Sequence, residues 1–196
     1  MSGAGGARRR CWWPAGTEPA DAVMAEYHDS EWGVPAHGDT ALFERLALES
    51  FQAGLSWSTI LHKQRAFREA FAGFDPATVA AFGPPDVERL VADAGIVRNR
   101  AKIQATIDNA RGVLEIARES GSFDSWLWTH VDGLPRRLPP QATYADVPSA
   151  DPLAHRLSRE LRDRGFRFVG PTIVYAFMQS IGMVDDHLPG CWRYRG

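Results

Sequence analysis

Apolar residues recur at helical spacing along most of this chain, and Gly or Pro residues separate the segments that carry them. Between Asp39 and Gly54, apolar residues repeat every three or four positions, as on the buried face of an amphipathic helix. The same spacing returns after Ser56, and Ser, Asp or Asn residues stand where N-caps are expected. The predicted helices run over Asp39 to Gly54, Ser56 to Phe71, Asp75 to Gly83, Asp86 to Gly95, Asn99 to Ser120, Phe123 to Val131, Asp151 to Gly165 and Pro171 to Gly182.

Strand-like patterns are scarce. Alternation of apolar and polar residues is confined to Phe166 to Val169, which is short for a strand. The Pro-rich stretch from Asp132 to Ser149 is predicted to be a surface loop. These patterns together predict an all-α fold.

Composition supports one ordinary globular domain or two closely packed lobes. The chain has 196 residues, of which 44% are hydrophobic, enough for a sizeable core. Residues 1–10 are rich in Gly, Ala and Arg and lack the apolar segment of a signal peptide, so we expect a disordered tail before a single helical domain over 11–196. No apolar run approaches the ~20 residues of a membrane span. We therefore expect a cytoplasmic, monomeric protein that does not contact a membrane.

Cysteine and histidine residues stand near both ends of the chain. Cys11 precedes His28 in the N-terminal part, and His187 and Cys191 lie four positions apart near the C-terminus. Two thiolates and two imidazoles form a closed tetrahedral set for a structural Zn²⁺, which would tie the two ends together. Unrelated buried thiols, or one disulfide, remain open, because zinc sites usually contain two cysteines at Cys-x₂₋₄-Cys spacing.

A tight turn between two predicted helices carries a basic cluster. Gly95 lies at the turn, and Arg98, Arg100 and Lys102 follow. Backbone N–H groups at a helix N-terminus bind phosphate without sequence preference, as in a helix-hairpin-helix element on DNA. An ordinary pair of helices with a Gly C-cap and solvated arginines is the alternative.

Glu49 lies in the most apolar part of its predicted helix, and Trp57 follows the next turn. Other aromatic residues, Trp13, Tyr27 and Trp32, lie upstream. A carboxylate among aromatic rings suits a flat, cationic ligand. Such a ligand stacks on the rings, and its N–H groups donate hydrogen bonds to the carboxylate. The alternative is that Glu49 is exposed and that the aromatic residues belong to the core.

Five motifs, in order along nearly the whole chain, resemble those of the constitutive 3-methyladenine DNA glycosylase family of bacteria. The first reads Tyr-His-Asp-x-Glu-Trp-Gly-Val-Pro, and the last reads Asp-His-x-x-Gly-Cys. The five occupy Tyr27 to Pro35, Leu48 to Trp57, Val91 to Arg100, Gly165 to Gly170 and Asp186 to Cys191.

The resemblance implies an all-helical, helix-hairpin-helix glycosylase fold whose N- and C-termini are joined by a structural zinc. The zinc ligands that it implies are Cys11, His28, His187 and Cys191. The lesion pocket that it implies contains Glu49, Tyr27, Trp57 and Trp13, with Trp32 nearby.

The resemblance also implies the reaction. Such an enzyme hydrolyses the N-glycosidic bond of 3-methyladenine in alkylated double-stranded DNA and leaves an abasic site for base excision repair. Glu49 is the catalytic residue in this scheme, and it recognises the base rather than attacking the sugar. The DNA-backbone contacts are expected from Gly95, Arg98, Arg100 and Lys102.

This chain departs from the family pattern at two positions, and two other functions are considered. Met24 stands where many relatives have an aromatic residue, and Ser50 where some have glycine. One alternative is a zinc-containing helix-hairpin-helix module that binds DNA without catalysis. A bifunctional lyase needs a lysine nucleophile, and the chain has only Lys63 and Lys102, of which Lys102 is expected at the hairpin.

Overall fold

The structure, a computed structural model of the chain, describes residues 8–11, 21–131 and 135–195. Within these residues it is built almost entirely of helices, which confirms the all-α prediction. The helices are α1 Ala22–Ser30, α2 Asp39–Gln52, α3 Trp57–Ala70, α4 Pro76–Ala80, α5 Pro84–Ala92, α6 Arg100–Ser120, α7 Phe123–Trp128, α8 Pro152–Asp163 and α9 Pro171–Ser180.

Several helices begin where the sequence predicts. The side chains of Ser56, Asp75, Asn99 and Asp151 each accept a hydrogen bond from a backbone N–H in the first turn of the following helix. The shortest of these bonds joins the Asp151 carboxylate to the backbone nitrogen of Ala154 at 2.6 Å. These caps satisfy N–H groups that the helix itself leaves unpaired.

Two predicted helix starts differ from the structure. Gly38, not Asp39, is the N-cap of α2, and the Asp39 carboxylate instead accepts the backbone N–H of Asp124 in α7 at 2.9 Å. Helix α5 begins before Asp86, whose carboxylate accepts the backbone N–H of Gly83 at 3.1 Å. Each carboxylate therefore binds a backbone donor other than the one predicted.

One helix and one pair of short strands lie where no regular structure is predicted. Helix α1 is capped by Asp21, which accepts the backbone N–H of Val23 at 3.1 Å. The strands β1 (Arg136–Arg137) and β2 (Val184–Asp185) form a two-residue parallel pair, so the stretch predicted as a loop pairs with the chain just before His187. Residues 132–134 of that stretch lie outside the described part.

Helix α2 lies at the centre of the fold. It packs against α3, α6, α7 and α9, and Leu42, Phe43, Leu46 and Phe51 on its apolar face are fully buried. Helix α6 packs in turn against α4, α5 and α7, and α8 packs against α9. The side chains on α2 are thereby held by helices on several sides.

The segment after α1 lies against the end of α9. The backbone nitrogen of Gly33 donates to the carbonyl oxygen of Gln179 at 2.9 Å, and that of Ala36 donates to Ile181 at 3.0 Å. Gly182 has a φ of +72°, and a Cβ there would lie 2.3 Å from the carbonyl carbon of Val34. Only glycine permits this approach, which brings the N-terminal His28 region beside the C-terminal segment.

The tail predicted over residues 1–10 falls mainly on residues 1–7, which lie outside the described part. Arg10 is described, and its guanidinium forms an ion pair with Asp29 at 2.7 Å. No helix among the described residues is long and apolar enough to cross a membrane.

Candidate functional site

A cavity of about 460 Å³ lies between the C-terminal half of α2, helices α1 and α9, and the segment that follows β2. Four of the residues predicted to bind the ligand line it together: Tyr27, Trp32, Glu49 and Trp57. The fifth, Trp13, lies outside the described residues. Cys11 and Leu188 also line the cavity, which therefore adjoins the cysteine and histidine cluster.

Glu49 is a buried acid whose carboxyl group receives no hydrogen bond from a described residue. Its side chain is 5% exposed, and burial raises its pKa to about 8, although the nearby Arg45 guanidinium opposes that rise. No described residue donates a hydrogen bond to the Glu49 carboxyl group. Since burying a charge without a partner is unfavourable, this group is poised to pair with a positively charged ligand in the cavity.

Aromatic rings stand beside this carboxyl group. The rings of Tyr27 and Trp57 lie 5.3 Å apart between centroids and are tilted by 58°, and the Arg45 guanidinium is 5.7 Å from the Tyr27 ring centroid. Burial and the negative charge of Glu49 raise the pKa of Tyr27 well above its usual value, so its hydroxyl is neutral. The indole nitrogen of Trp57 is buried and has no described hydrogen-bond partner, which leaves one further donor for a ligand.

The two departures from the family pattern have clear positions. Met24 lines the cavity and packs with Tyr27 and Leu61, where its thioether offers a polarisable surface to a ring. The Ser50 hydroxyl contacts the carbonyl oxygens of Leu46 at 2.9 Å and Phe168 at 3.0 Å. Met24 is thus part of the cavity wall, and Ser50 joins α2 to the turn before α9.

Another part of the cavity wall is a polar network that the predicted site residues do not include. The Asp186 carboxylate accepts the hydroxyl of Tyr175 at 2.6 Å and the amide of Gln179 at 2.8 Å. Arg136 donates to the same hydroxyl at 2.8 Å. Tyr175 and Gln179 lie on α9, four positions apart, and Asp186 opens the last of the five motifs; these are the sequence signals for this network.

The four predicted metal ligands are brought together by the fold. The ligand atoms of Cys11, His28, His187 and Cys191 all lie within 4.8 Å of one another, and all four residues are buried. Both cysteines are free thiols, so they do not form the alternative disulfide. This cluster, hereafter the Cys₂His₂ cluster, joins the two ends of the described chain.

The spacing of the Cys₂His₂ cluster fits one tetrahedral ion. The sulfur of Cys191 lies 3.4 Å from His28 Nε2 and 3.6 Å from His187 Nδ1, and the Cys11 sulfur lies 3.6 Å from His187 Nδ1. A tetrahedral zinc with ordinary bond lengths would place a sulfur and a nitrogen ligand about 3.5 Å apart. The residues could therefore hold a metal ion with four protein ligands.

Each imidazole is oriented by its second nitrogen. His28 Nδ1 contacts the Asp29 carboxylate at 2.8 Å, and His187 Nε2 contacts the carbonyl oxygen of Trp32 at 3.1 Å. Burial lowers the pKa of His187 to about 4 and also lowers that of His28, so both rings are neutral at pH 7. Neutral rings with an outer acceptor are the usual form of metal-bound histidine.

The predicted hairpin is present, but three of its four predicted phosphate contacts, Gly95, Arg100 and Lys102, have partners within the protein. The backbone nitrogen of Gly95 donates to the Asp93 carboxylate at 2.7 Å and is therefore already paired. Lys102 is 6% exposed, and its ammonium donates to the carbonyl oxygens of Phe51 at 2.9 Å and Ala53 at 2.6 Å. The Lys102 side chain therefore links the start of α6 to the end of α2 by hydrogen bonds and does not face solvent.

The two arginines of the hairpin remain at the surface. Arg98 is exposed and forms no ion pair with a described residue. Arg100 contacts the Glu88 carboxylate through both terminal nitrogens at 2.7 Å each. Lys63, which is not among the residues predicted at the hairpin, donates to the carbonyl oxygens of Ala94 and Gly95.

No lysine faces the cavity. The only lysines of the chain are Lys63 and Lys102, and neither lines it. A lyase that forms a Schiff base requires such an amine at the reacting sugar. The arrangement does not supply one.

Comparison with known proteins agrees with the sequence motifs. The family model described as methyladenine glycosylase matches residues 16–194 of the chain. The chain is 45% identical, over 187 residues, to DNA-3-methyladenine glycosylase 1 of Escherichia coli (strain K12), which spans 95% of this chain and 97% of that protein.

Solved structures show the same similarity in three dimensions. The 3-methyladenine DNA glycosylase I of Staphylococcus aureus, solved to explain its recognition of 3-methyladenine, is 40% identical and superposes with a TM-score of 0.88 over 93% of this chain and 96% of that chain. A tyrosine-to-phenylalanine variant of a 3-methyladenine DNA glycosylase I, in complex with 3-methyladenine, is 39% identical and has a TM-score of 0.86 over 93% of this chain and 98% of that chain.

Proposed function

The chain belongs to the methyladenine glycosylase family, and on this premise we propose that it excises 3-methyladenine from alkylated double-stranded DNA. It hydrolyses the bond between the base and deoxyribose and leaves an abasic site for base excision repair. The cavity beside Glu49 receives the damaged base in this proposal.

One observation carries the proposal: the buried carboxyl group of Glu49 lies in an aromatic cavity, and no described residue donates a hydrogen bond to it. Methylation at N3 gives adenine a positive charge spread over its rings. Such a base can stack on Tyr27 and Trp57 while its N–H edge pairs with the carboxylate. Undamaged adenine is neutral and gains less from the same contacts, which is the basis for selectivity.

The chemistry demands little of the protein beyond recognition and positioning. The nucleotide must leave the base stack before the cavity can bind it. A cationic base departs as a neutral molecule, so no general acid is required to protonate it. Glu49 therefore acts by binding the cation, and its place in the cavity wall supports that role over nucleophilic attack.

Because the pKa of Glu49 is high, binding of the cationic base is coupled to loss of the Glu49 proton. In the free protein the carboxyl group keeps its proton up to about pH 8 because it is buried. A positive charge beside it favours the ionised form, so the bound cationic base drives the proton from Glu49. The group regains a proton after the neutral base has left.

We propose Zn²⁺ as the ion of the Cys₂His₂ cluster, in a structural role. Two thiolates and two imidazoles are a common closed zinc set, with no position left for water or substrate. When bound, the ion would tie the N-terminal ligands Cys11 and His28 to the C-terminal ligands His187 and Cys191. It takes no part in the hydrolysis.

The hairpin is proposed to hold the DNA backbone through its exposed cations. Arg98 is free to contact a phosphate, and Arg100 can exchange its exposed Glu88 partner for one, since exposed ion pairs contribute little. The Gly95 N–H and the Lys102 ammonium have partners within the protein, so the phosphate contacts of this proposal are those of Arg98 and Arg100.

The test is the release of bases from methylated duplex DNA, followed by chromatography of the products. The wild-type protein should release 3-methyladenine and leave one abasic site for each base released, whereas Glu49→Gln should release it far more slowly. Glu44→Gln is a matched control, because Glu44 is buried on the same helix but binds Gln64 and Arg68. Duplex binding without any base release would support the non-catalytic DNA-binding module instead.

A further inference from the structure

We propose that four arginines at the two ends of the chain form a second contact surface for the DNA backbone, separate from the hairpin. These residues, hereafter the terminal arginine surface, are Arg8, Arg9, Arg193 and Arg195. The choice of DNA as the partner rests on the proposed function. The existence of the surface rests on the contacts described next.

The Cys₂His₂ cluster brings the two arginine-bearing segments together. Arg9 precedes Cys11, and Arg193 follows Cys191, by two positions each. Between them, the backbone nitrogen of Trp192 donates to the carbonyl oxygen of Arg9 at 2.8 Å. Segments that lie at opposite ends of the sequence therefore run side by side.

The ring of Trp192 contacts two of the four arginine side chains, those of Arg8 and Arg193. The guanidinium of Arg8 lies 4.4 Å from the Trp192 ring centroid and that of Arg193 lies 5.4 Å from it. The Arg9 guanidinium covers Gly190, where an added Cβ would be 3.3 Å from its central carbon. Cations are thus held near one another, with an aromatic platform between two of them.

The charges of this surface are only weakly compensated within the described part of the protein, where Arg193 and Arg195 act on the Asp185 carboxyl group without forming an ion pair with it. Arg8, Arg9 and Arg195 are exposed, and none of the four arginines forms an ion pair with a described carboxylate. The Nε atom of Arg193 is buried without a hydrogen-bond partner. Neighbouring Arg10 differs, because Asp29 binds it through two hydrogen bonds.

Guanidinium groups that are held close together repel one another. The negative phosphates of a DNA backbone relieve that repulsion when they bind between them. The chain as a whole has a net charge of −2, so a local surface, not the overall charge, must attract the DNA backbone. Guanidinium groups suit this task because they bind phosphate oxygens in pairs.

The position of the surface fits a duplex whose damaged base occupies the cavity. Cys11 and Leu188 line the cavity, and Arg9 is separated from Cys11 by one residue, a span of roughly 7 Å at full extension. The phosphates that flank a flipped nucleotide would therefore pass close to these arginines. Such contacts fix the register of the protein on DNA without reading its sequence.

The experiment measures binding to an undamaged duplex as a function of salt for three double variants. Arg8→Gln/Arg9→Gln and Arg193→Gln/Arg195→Gln each remove two charges from the surface. Arg156→Gln/Arg159→Gln is the matched control, because both residues are exposed on α8 and form no described ion pair. Affinity for free 3-methyladenine is measured in parallel to show that the cavity is intact.

Each terminal double variant should reduce the slope of log affinity against log salt concentration by up to about 1.8, or 0.9 for each lost phosphate contact. The control should keep the wild-type slope, and all three should bind the free base as the wild type does. Unchanged slopes in the terminal variants, or an equal loss in the control, would overturn the proposal.

The two proposals can fail separately. If the wild type releases no base from methylated DNA, the proposed function is wrong, whatever the salt slopes show. If it releases 3-methyladenine but the terminal variants keep the wild-type slope, only the terminal arginine surface is wrong.

Discussion

Glu49 is the residue in which folding and binding make opposite demands. Helix α2 holds its side chain inside the fold at 5% exposure, where an ionised carboxylate is unfavourable. The same burial strengthens its attraction for a cationic base, because water does not compete there. The nearby Arg45 guanidinium partly offsets the cost of burying the ionised carboxylate.

The stability of the protein should therefore depend on pH through Glu49. The folded pKa is raised to about 8, so the stabilising contribution of the protonated group is fully present below pH ~4.5 and is lost as pH rises through about 8. Glu49→Gln cannot ionise, so it should gain in stability relative to the wild type over this range, by at most about 1.4 kcal/mol per pH unit. Urea unfolding of both proteins from pH 5 to pH 9 measures the difference.

Glu44→Gln again supplies the control, because Glu44 lies in an ion pair with Arg68 at 2.8 Å. Its difference from the wild type should not follow the Glu49→Gln trend. A stability difference between wild type and Glu49→Gln that stays constant over this pH range would show that Glu49 does not titrate as described.

At the scale of elements, Lys102 links the hairpin to α2, the helix that carries Glu49 and is hereafter the cavity helix. Its ammonium binds the last carbonyl groups of α2, where a positive charge also complements the helix dipole. The exposed Arg98 has no such contact. The two cations of one hairpin therefore have different roles, one within the protein and one toward its ligand.

Substitution of the two cations should separate these roles. Arg98→Ala should weaken binding to all duplex sequences alike and reduce the salt slope by about 0.9, with little change in unfolding. Lys102→Met should lower the free energy of unfolding by about 1–3 kcal/mol, because it leaves buried carbonyl groups unpaired. Fluorescence titration with duplex DNA and thermal unfolding measure the two effects; the reverse pattern would contradict the assignment.

The elements that the sequence predicts are those whose causes are local. Ser56, Asp75, Asn99 and Asp151 cap helices because each side chain reaches a backbone N–H only three positions ahead. The cavity helix was likewise predictable from its apolar spacing. Glu49 could be recognised in it because a charged residue interrupts an apolar stretch.

The missed features depend on contacts between distant parts of the chain. The strands β1 and β2 pair residues 136–137 with 184–185, and neither has a pattern of its own. Lys102 resembles a surface cation until the carbonyl groups of Phe51 and Ala53 are placed beside it. Asp186 becomes part of the cavity wall only when the C-terminal segment lies against α9.

At the scale of the whole molecule, the Cys₂His₂ cluster closes the chain on itself. It joins residues 11 and 28 to residues 187 and 191, so nearly all of the core lies within the closed loop. Cross-links that close long loops stabilise mainly by restricting the unfolded chain. Metal binding and folding should therefore be coupled.

Cys191→Ser should lose bound metal and thermal stability together. The wild-type protein, purified without chelator, should contain one zinc per chain, and the variant should contain much less and unfold at a lower temperature. His62→Ala is a suitable control, because His62 is exposed and lies outside the cluster. A wild-type protein without stoichiometric metal, or a variant of unchanged stability, would contradict the structural role.

The central claim is that Glu49 recognises the damaged base, and calorimetric titration of free 3-methyladenine into wild type and Glu49→Gln tests it most directly. The free base is neutral, but the protonated Glu49 carboxyl group can give it a proton and form the same carboxylate–cation pair, which glutamine cannot do. A hydrogen bond to a charged group is worth about 1.5–3 kcal/mol, so Glu49→Gln should bind the free base at least about tenfold more weakly than the wild type. Glu44→Gln should bind the free base as the wild type does, and both variants should keep the wild-type affinity for undamaged duplex. Equal affinity of wild type and Glu49→Gln for the free base would contradict the claim.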